Sequence, residues 1–440
     1  MGKTLLPPKD WRIVNADCID AMRAMPDACV DAVVCDPPYF LDFAGEKWDG
    51  AVGFVNTILK AREGRKGTPY GQGNVFQQFT YEWGREALRV LKPGGYILAF
   101  AGSRTYHRMA SGLEDAGFEI RDMLVWLHGQ GFPKGANIAK NMDKASPHFE
   151  AVRQKTSGVG FARMGFGKHT LVQKSKKSKL AEDHDEQHTA LKPSLEPFVM
   201  GRKPPKYKNV TQNVYHYGVG ALNIKECRIP VKGEAKGRWP ANVLTDGSDV
   251  VRDALPHTKS VKAASARAHA GRDGKKGLVG GGGPGASVRP EDTYSDEGSV
   301  ARFFYTAKCH PRERQCGMPA GQKNEHQTVK PIAIMQFCVR LITPKGGVVL
   351  DPFAGSGSTG VAARLEGRRF LGIEREDKSA AIARSRVENF AQFRDLDRPK
   401  RKEAGTARDL AHVLQEAAKV ADEVKGKRAE RKAKANRRSR

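Results

Sequence analysis

Asp36, Pro37, Pro38 and Tyr39 stand together directly after the apolar run Val30 to Cys35, VDAVVC. A carboxylate followed by two prolines offers two acceptors in fixed relation: the Asp36 side chain and the main-chain carbonyl of Pro37. Such a pair can take both N–H bonds of a planar exocyclic amine. That amine is a poor nucleophile, because its lone pair is delocalised into the ring. Held by two acceptors, its nitrogen becomes more nearly tetrahedral and can attack an electrophilic carbon. Tyr39 adds a face on which a flat base can stack. Read alone, the four residues are equally an ordinary strand-ending turn, where Asp and Pro are frequent.

A second stretch, VVLDPFAGSGSTG at 348–360, carries a different chemistry. Its spacing predicts a buried strand ending at Asp351, glycines at 355 and 357, and a helix starting near Ser358. Glycines at such a bend let the backbone approach a ligand closely, and the helix N-terminus lends free amides and its dipole. The next strand, RRFLGIE at 368–374, ends in Glu374, where a carboxylate can accept bonds from both ribose hydroxyls of a nucleoside. A glycine loop by itself also fits a dinucleotide site or a plain tight turn. The acid at the end of the following strand favours a nucleoside.

Together, DPPY and DPFAGSGSTG resemble the amino-methyltransferases that modify adenine N6 or cytosine N4 in DNA. The order, catalytic motif first and cofactor loop near the end, is similar to the circularly permuted β subgroup of that family. The resemblance covers roughly residues 10–145 and 325–395, and the ordered parts between more loosely. It implies an α/β, Rossmann-like fold for S-adenosylmethionine-dependent methyl transfer, circularly permuted, with a long inserted target-recognition region. Asp36, Pro37, Pro38 and Tyr39 match the family's catalytic motif. Asp351, Phe353, Gly355 and Gly357 match its cofactor loop, and Glu374 matches the ribose-binding acid. Asp17, in NADCIDAM, matches an acidic position that meets the cofactor's adenine; a plain helix cap is its other reading. His326 to Pro331, HQTVKP, resembles a segment H-P-T-x-K-P whose Thr and Lys lie near the cofactor's methionine end, which points to Thr328 and Lys330. Gln327 stands where that segment carries its first proline, so the local backbone path is open.

The implied substrate is double-stranded DNA with its target base flipped out of the helix, since a paired base cannot enter a pocket at a sheet edge. Cytosine-N4 members of the family more often carry Ser at the position of Asp36, so adenine N6 is the expected acceptor. N4-cytosine methylation is the nearest rival. Relatives acting on RNA or on protein glutamine generally carry the two motifs in the opposite order. A non-catalytic DNA-binding protein with a decayed fold conflicts with the intact motifs, and a nicotinamide dehydrogenase leaves DPPY unexplained. The reaction needs neither a metal nor a covalent intermediate, so Cys35 is expected to be a buried strand residue. Seven cysteines without a C-x-x-C pair indicate no disulfide framework, and Cys309, His310 and Cys316 match no familiar zinc spacing.

Elements that could position these residues follow an α/β rhythm at both ends of the chain. Helices are expected over 82–91, 105–116 and 331–342, and strands over 30–35, 96–100, 118–127 and 368–374. The division expected is a catalytic half at 10–145, a target-recognition insertion at 146–322, a cofactor-binding half at 323–395 and a basic tail at 396–440. Inside the insertion, 191–205 and 237–248 read as ordered but irregular, flanked by loop-like stretches rich in Lys, Gly and Ser. A net charge of +26 over 440 residues suits a polyanionic partner. The tail KGKRAERKAKANRRSR could add non-specific DNA contacts or simply be solvated. With no apolar leader and no run of about 18 apolar residues, a reducing, cytoplasmic setting away from membranes is expected. Monomer and homodimer both fit.

Overall fold

The computed structural model describes residues 10–39, 72–129, 135–145, 151–155, 169–173, 179–231, 234–260, 296–307 and 312–396. The chain divides into Met1–Phe390 and Ala391–Arg440. In the second unit the described residues, 391–396, begin within a 3-10 helix, Phe390–Asp395, so nearly all of the expected basic tail lies outside them.

Nine strands of the first unit form one sheet: β1 (Trp11–Asn15), β2 (Val30–Cys35), β3 (Leu91–Phe100), β4 (Glu119–Leu127), β5 (Leu195–Arg202), β6 (Val243–Thr245), β7 (Tyr305–Thr306), β8 (Val348–Asp351) and β9 (Arg369–Glu374). Their spatial order is β1-β9-β8-β2-β3-β5-β4-β6-β7. All neighbours are parallel except around β5, which runs against both β3 and β4. Strands from the two ends of the chain interleave: β1 pairs with β9, and β2 with β8. This interleaving is the permutation in physical form. Asp31 stitches the seam, accepting from the Val348 N–H at 2.6 Å and from Lys92 Nζ at 2.6 Å.

Every residue of β2 is buried, as expected for a parallel strand covered on both faces. Helices α1 (Cys18–Arg23), α2 (Gln72–Val90) and α3 (Tyr106–Asp115) supply Met22, Phe76, Trp83, Met109 and Leu113 to a core cluster with Val33, Cys35, Ile97, Val199 and Leu350. Cys35 has no exposed surface and burial pushes its thiol well up, so it is a strand residue, as its sequence context predicts. Helix α4 (Ile332–Ile342) packs on β2 and β3 through a separate apolar set that includes Ile334, Phe337 and Leu341. The sheet continues through α5 (Ser358–Leu365) and α6 (Asp377–Glu388), which flank β9.

The middle of the chain departs from expectation. The irregular stretch 191–205 contains β5, an eight-residue strand in the heart of the sheet, and 237–248 contains β6. Both faces of β5 are covered, so it lacks polar alternation, and Pro197 and Gly201 mask the strand signal. Helix α2 begins at Gln72 rather than near residue 82: Phe76, Phe79 and Trp83, all buried, carry its apolar spacing further toward the N-terminus than the expected bounds. Among the described residues no helix is long and apolar enough to cross a membrane, and no group of three or more His, Cys, Asp or Glu could hold a metal ion. Cys309 and His310 lie outside the described residues.

Gly360 shows how tightly α5 sits on β9: a Cβ there would stand 2.5 Å from the Phe370 ring and 2.6 Å from Val387. Gly360→Val is expected to destabilise the fold by about 2–3 kcal/mol through overpacking, read as a lowered urea midpoint. An unchanged midpoint would show that α5 can slide.

Candidate active site

The glycine loop leaves β8 at Asp351, which is 2% exposed. Its carboxylate accepts from the Phe353 N–H at 2.9 Å and from Thr359 Oγ1 at 2.5 Å, fastening both ends of the bend. Gly355 and Gly357 have φ of +50° and +78°, the left-handed region that favours glycine. A Cβ on Gly357 would also stand 3.0 Å from the Ala383 Cα. Beneath the loop, the buried Arg386 guanidinium donates to the Ser356 carbonyl at 2.6 Å and to its hydroxyl at 2.9 Å. The loop is therefore held rigid by its own side chains.

Burial pushes the Asp351 carboxyl up to about 7, against the pull of its bond from Thr359. In the unfolded chain the same group ionises near its ordinary 3.8, so between about pH 4 and pH 7 rising pH works against the folded form. Asp351→Asn, which carries no charge, is expected to gain melting temperature relative to wild type across that window. A difference that stays flat with pH would contradict the buried carboxyl.

Glu374 ends β9 beside this loop. Its carboxylate accepts from the Gly355 N–H at 2.8 Å and from the Glu376 N–H at 2.8 Å, and burial raises its pKa. Asn15 lies opposite Glu374 in register and donates to its carbonyl at 2.9 Å. Two residues on, Asp17 is exposed and caps α1, accepting from the Ile19 and Asp20 N–H groups at 2.9 and 3.4 Å. Asp17, Glu374 and the glycine loop thus occupy the carboxyl ends of three adjoining strands, β1, β9 and β8. Phe353, half-buried, packs against Phe79 and edge-on to Trp83, with centroids 5.9 and 5.4 Å away.

The strand next to β8 is β2, with Leu350 opposite Val33. It delivers Asp36, buried Pro37, Pro38 and Tyr39 to the same edge. The Tyr39 hydroxyl donates to Asp36 Oδ1 at 2.7 Å. Lys330 Nζ lies 3.1 Å from Asp36 Oδ2, 3.1 Å from the Tyr39 hydroxyl and 2.8 Å from Glu196 Oε2. The ammonium also sits 5.3 Å from the Tyr39 ring centre and 5.1 Å from that of Phe100, which stacks on Phe198 at 4.5 Å. Burial works to lower the Lys330 pKa, but the Asp36 and Glu196 carboxylates outweigh it and hold the group above the usual lysine range. For Asp36, burial and then the Glu196 charge outweigh Lys330 and leave the carboxyl raised.

The expected residues therefore fall into two adjoining groups: Asp36, Tyr39 and Lys330 in one, and Asp351, Phe353, Gly355, Gly357, Glu374 and Asp17 in the other. Thr328 is exposed on the segment leading to Lys330. His326, from the same segment, lies against the glycine loop, where a Cβ on Gly355 would stand 2.9 Å from its Nε2. Burial, then Arg386, lowers its pKa to about 4, so the imidazole is neutral, and its buried Nδ1 has no hydrogen-bond partner among the described residues. Glu196, Phe100 and Phe198 belong to no motif in the sequence. Only the placement of β5 beside β3 reveals them.

A family model described as DNA methylase, covering N6 and N4 amino-methyltransferases, matches residues 30–385, from the start of β2 into α6. The chain belongs to the N6/N4 DNA methylase family. The methylase has the Rossmann-like α/β fold of S-adenosylmethionine-dependent methyltransferases, with its two motif strands side by side. The type II methyltransferase M.HindIII of Haemophilus influenzae is 24% identical over 393 residues, 85% of this chain and 94% of its own. M.BglI of Bacillus subtilis, also a type II methyltransferase, is 36% identical over 108 residues, 24% of this chain and 29% of its own. Among solved structures, the PvuII DNA methyltransferase, described as cytosine-N4-specific, covers 90% of this chain and 95% of its own at 12% identity, with a TM-score of 0.42.

Proposed function

We propose that this methylase transfers the methyl group of S-adenosylmethionine to N6 of adenine in double-stranded DNA. The observation that carries the reading is the juxtaposition of Asp36 and the glycine loop at the carboxyl ends of neighbouring strands, β2 and β8. Ligands of open α/β sheets bind in that crevice.

S-adenosylmethionine fits the second group of residues. Glu374 is assigned to the ribose hydroxyls and Asp17 to the adenine. Phe353 packs against the core cluster at the start of the loop, and Gly355 and Gly357 leave bare backbone at the bend. The His326 ring borders the loop at Gly355, and Thr328, from the same segment, is assigned to the cofactor's methionine end. Bound there, the cofactor supplies a methyl group on a positively charged sulfur. The protein's own part is orientation and charge. Asp36 accepts one N–H of the amine and the Pro37 carbonyl the other, so the nitrogen lone pair turns toward the methyl group. The Asp36 charge then stabilises the positive charge that develops on nitrogen. Tyr39 stacks on the base, which must leave the duplex to arrive.

Parts of 146–322 outside β5, β6 and β7 are assigned to target recognition, with Arg and Lys reading guanine and Asn or Gln reading adenine. The presence of Asp36, where cytosine-N4 members more often carry Ser, favours adenine. Plasmid DNA from a methylation-free host expressing the chain, digested to nucleosides, is expected to contain N6-methyladenine. N4-methylcytosine in its place would keep the mechanism and overturn the choice of base. Neither modified base would overturn the reading.

A further inference from the structure

Glu196 stands on β5, outside the two motifs, and has been given no part in the reaction so far. We propose that Glu196 is a positioning residue for Asp36: it holds the Lys330 ammonium between two carboxylates, so that Asp36 is oriented without being neutralised. The proposal rests on the reading of Asp36 as the acceptor of the target amine.

The geometry is specific. An ammonium has three donors, and Lys330 has three oxygens within 3.1 Å, on Asp36, Tyr39 and Glu196. The shortest of the three contacts, 2.8 Å, goes to Glu196. Tyr39 closes the ring by accepting from Lys330 and donating to Asp36 Oδ1. Both Asp36 oxygens are therefore fixed in direction, each with one partner among the described residues. A carboxylate offers about four lone-pair sites, so room remains for the amine N–H.

Charge gives the reason for a second acid. Asp36 and Lys330 alone would form a neutral pair, and a carboxylate neutralised by an ammonium is a weak acceptor for an amine. With Glu196 the cluster carries one net negative charge in a setting where the Lys330 side chain is 11% exposed and that of Asp36 18%. At low exposure such a charge is poorly screened. It faces the place where positive charge develops on the amine. Glu196 can hold this position because its strand is locked: Phe198, two residues on and so on the same sheet face, stacks on Phe100, and Trp126 lies opposite Glu196 in register.

The charged and titratable groups around Asp36 are Lys330, Glu196 and Tyr39, with Asp351 and Cys35 on the strand side; Glu196 itself acts on His128 as well as Lys330. Glu196→Gln removes a charge that raises the Asp36 pKa and leaves Lys330 wholly to Asp36. Both changes make Asp36 more acidic. The rate requires ionised Asp36 and falls as pH drops through its pKa, so the acidic limb of kcat must move to lower pH.

The test compares wild type, Glu196→Gln and Glu196→Asp on an unmethylated duplex, with kcat, both KM values and the pH profile measured. Wild-type transfer comes first; its absence overturns the proposed function, and this inference falls with it. Given transfer, Glu196→Gln is expected to lose about 10- to 100-fold in kcat. KM for S-adenosylmethionine should stay within about twofold, with the acidic limb displaced downward. Glu196→Asp, which keeps the charge, should recover most of the rate. A kcat within about twofold of wild type, an unmoved limb, or a loss confined to either KM overturns the proposal. If Glu196→Gln does not fold, Glu196→Asp decides alone: wild-type-like pH dependence with a modest kcat loss supports it, and loss of cofactor affinity overturns it.

Discussion

Asp36→Ala is expected to lower kcat by at least about 1,000-fold while cofactor affinity stays within a few fold of wild type. The size of the loss follows from what Asp36 does. On the proposed reading it supplies one of two acceptors that turn a delocalised amine into a nucleophile, and its charge faces the positive charge of the transition state. Both contributions exist only when the amine is reacting, so the loss belongs in kcat. Asp351, Phe353, Glu374 and Asp17, assigned to the cofactor in the proposed reading, stand at or just beyond the ends of β8, β9 and β1, and none of their hydrogen bonds described above involves Asp36. Lys330 keeps Glu196 as a partner in the variant, so no uncompensated buried ammonium arises. Single-turnover kinetics with a parallel binding titration separate the two quantities. A loss below about tenfold would remove Asp36 from the chemistry.

Glu374→Ala should give the opposite split. Binding of S-adenosylmethionine is expected to weaken about 100-fold, with kcat at saturating cofactor changed less than about fivefold. On the proposed reading two charge-assisted bonds to the ribose, at about 1.5–3 kcal/mol each, suffice for such a loss, which is about 2.7 kcal/mol. Glu374 also ties down the Gly355 and Glu376 N–H groups, at 2.8 Å each, so its removal loosens the loop as well. Glu374→Gln retains one carbonyl acceptor and should fall between wild type and Ala. Isothermal titration with cofactor reads the difference directly, and unaltered affinity in Glu374→Ala would place the ribose elsewhere.

Much of this arrangement is legible in sequence because local chemistry announces it. VDAVVC is a strand whose bounds can be read from its buried run, and Asp36 at its end needs no partner to be noticed. The glycines at 355 and 357 signal a bend that the positive φ values bear out. That β2 and β8 are neighbours is not a local property; it follows from the order of strands, and the motif order only hints at it. Asp17 shows the limit of a motif: the resemblance assigns it to the cofactor's adenine, and its carboxylate also caps α1.

The rest was hidden for physical reasons. β5 is buried on both faces, so it carries no alternation, and Pro197 and Gly201 look like loop residues. Glu196 and Phe198 therefore read as part of an irregular stretch until β5 is seen lying between β3 and β4. Lys330 is conspicuous in HQTVKP, but its contacts with Asp36 and Glu196 join residues 294 and 134 positions apart, the separations of Lys330 from each. No periodicity reports such a pairing. The long tracts rich in Lys, Gly and Ser within the middle region lie largely outside the described residues.

Incubation of the purified chain with methyl-labelled S-adenosylmethionine and, in separate reactions, unmethylated genomic DNA, total RNA and a protein extract tests the central claim most directly. Label retained by DNA and recovered in an N-methylated base, with none in the other two, is the result predicted. Label in RNA or protein alone, from enzyme that demonstrably binds the cofactor, would contradict it.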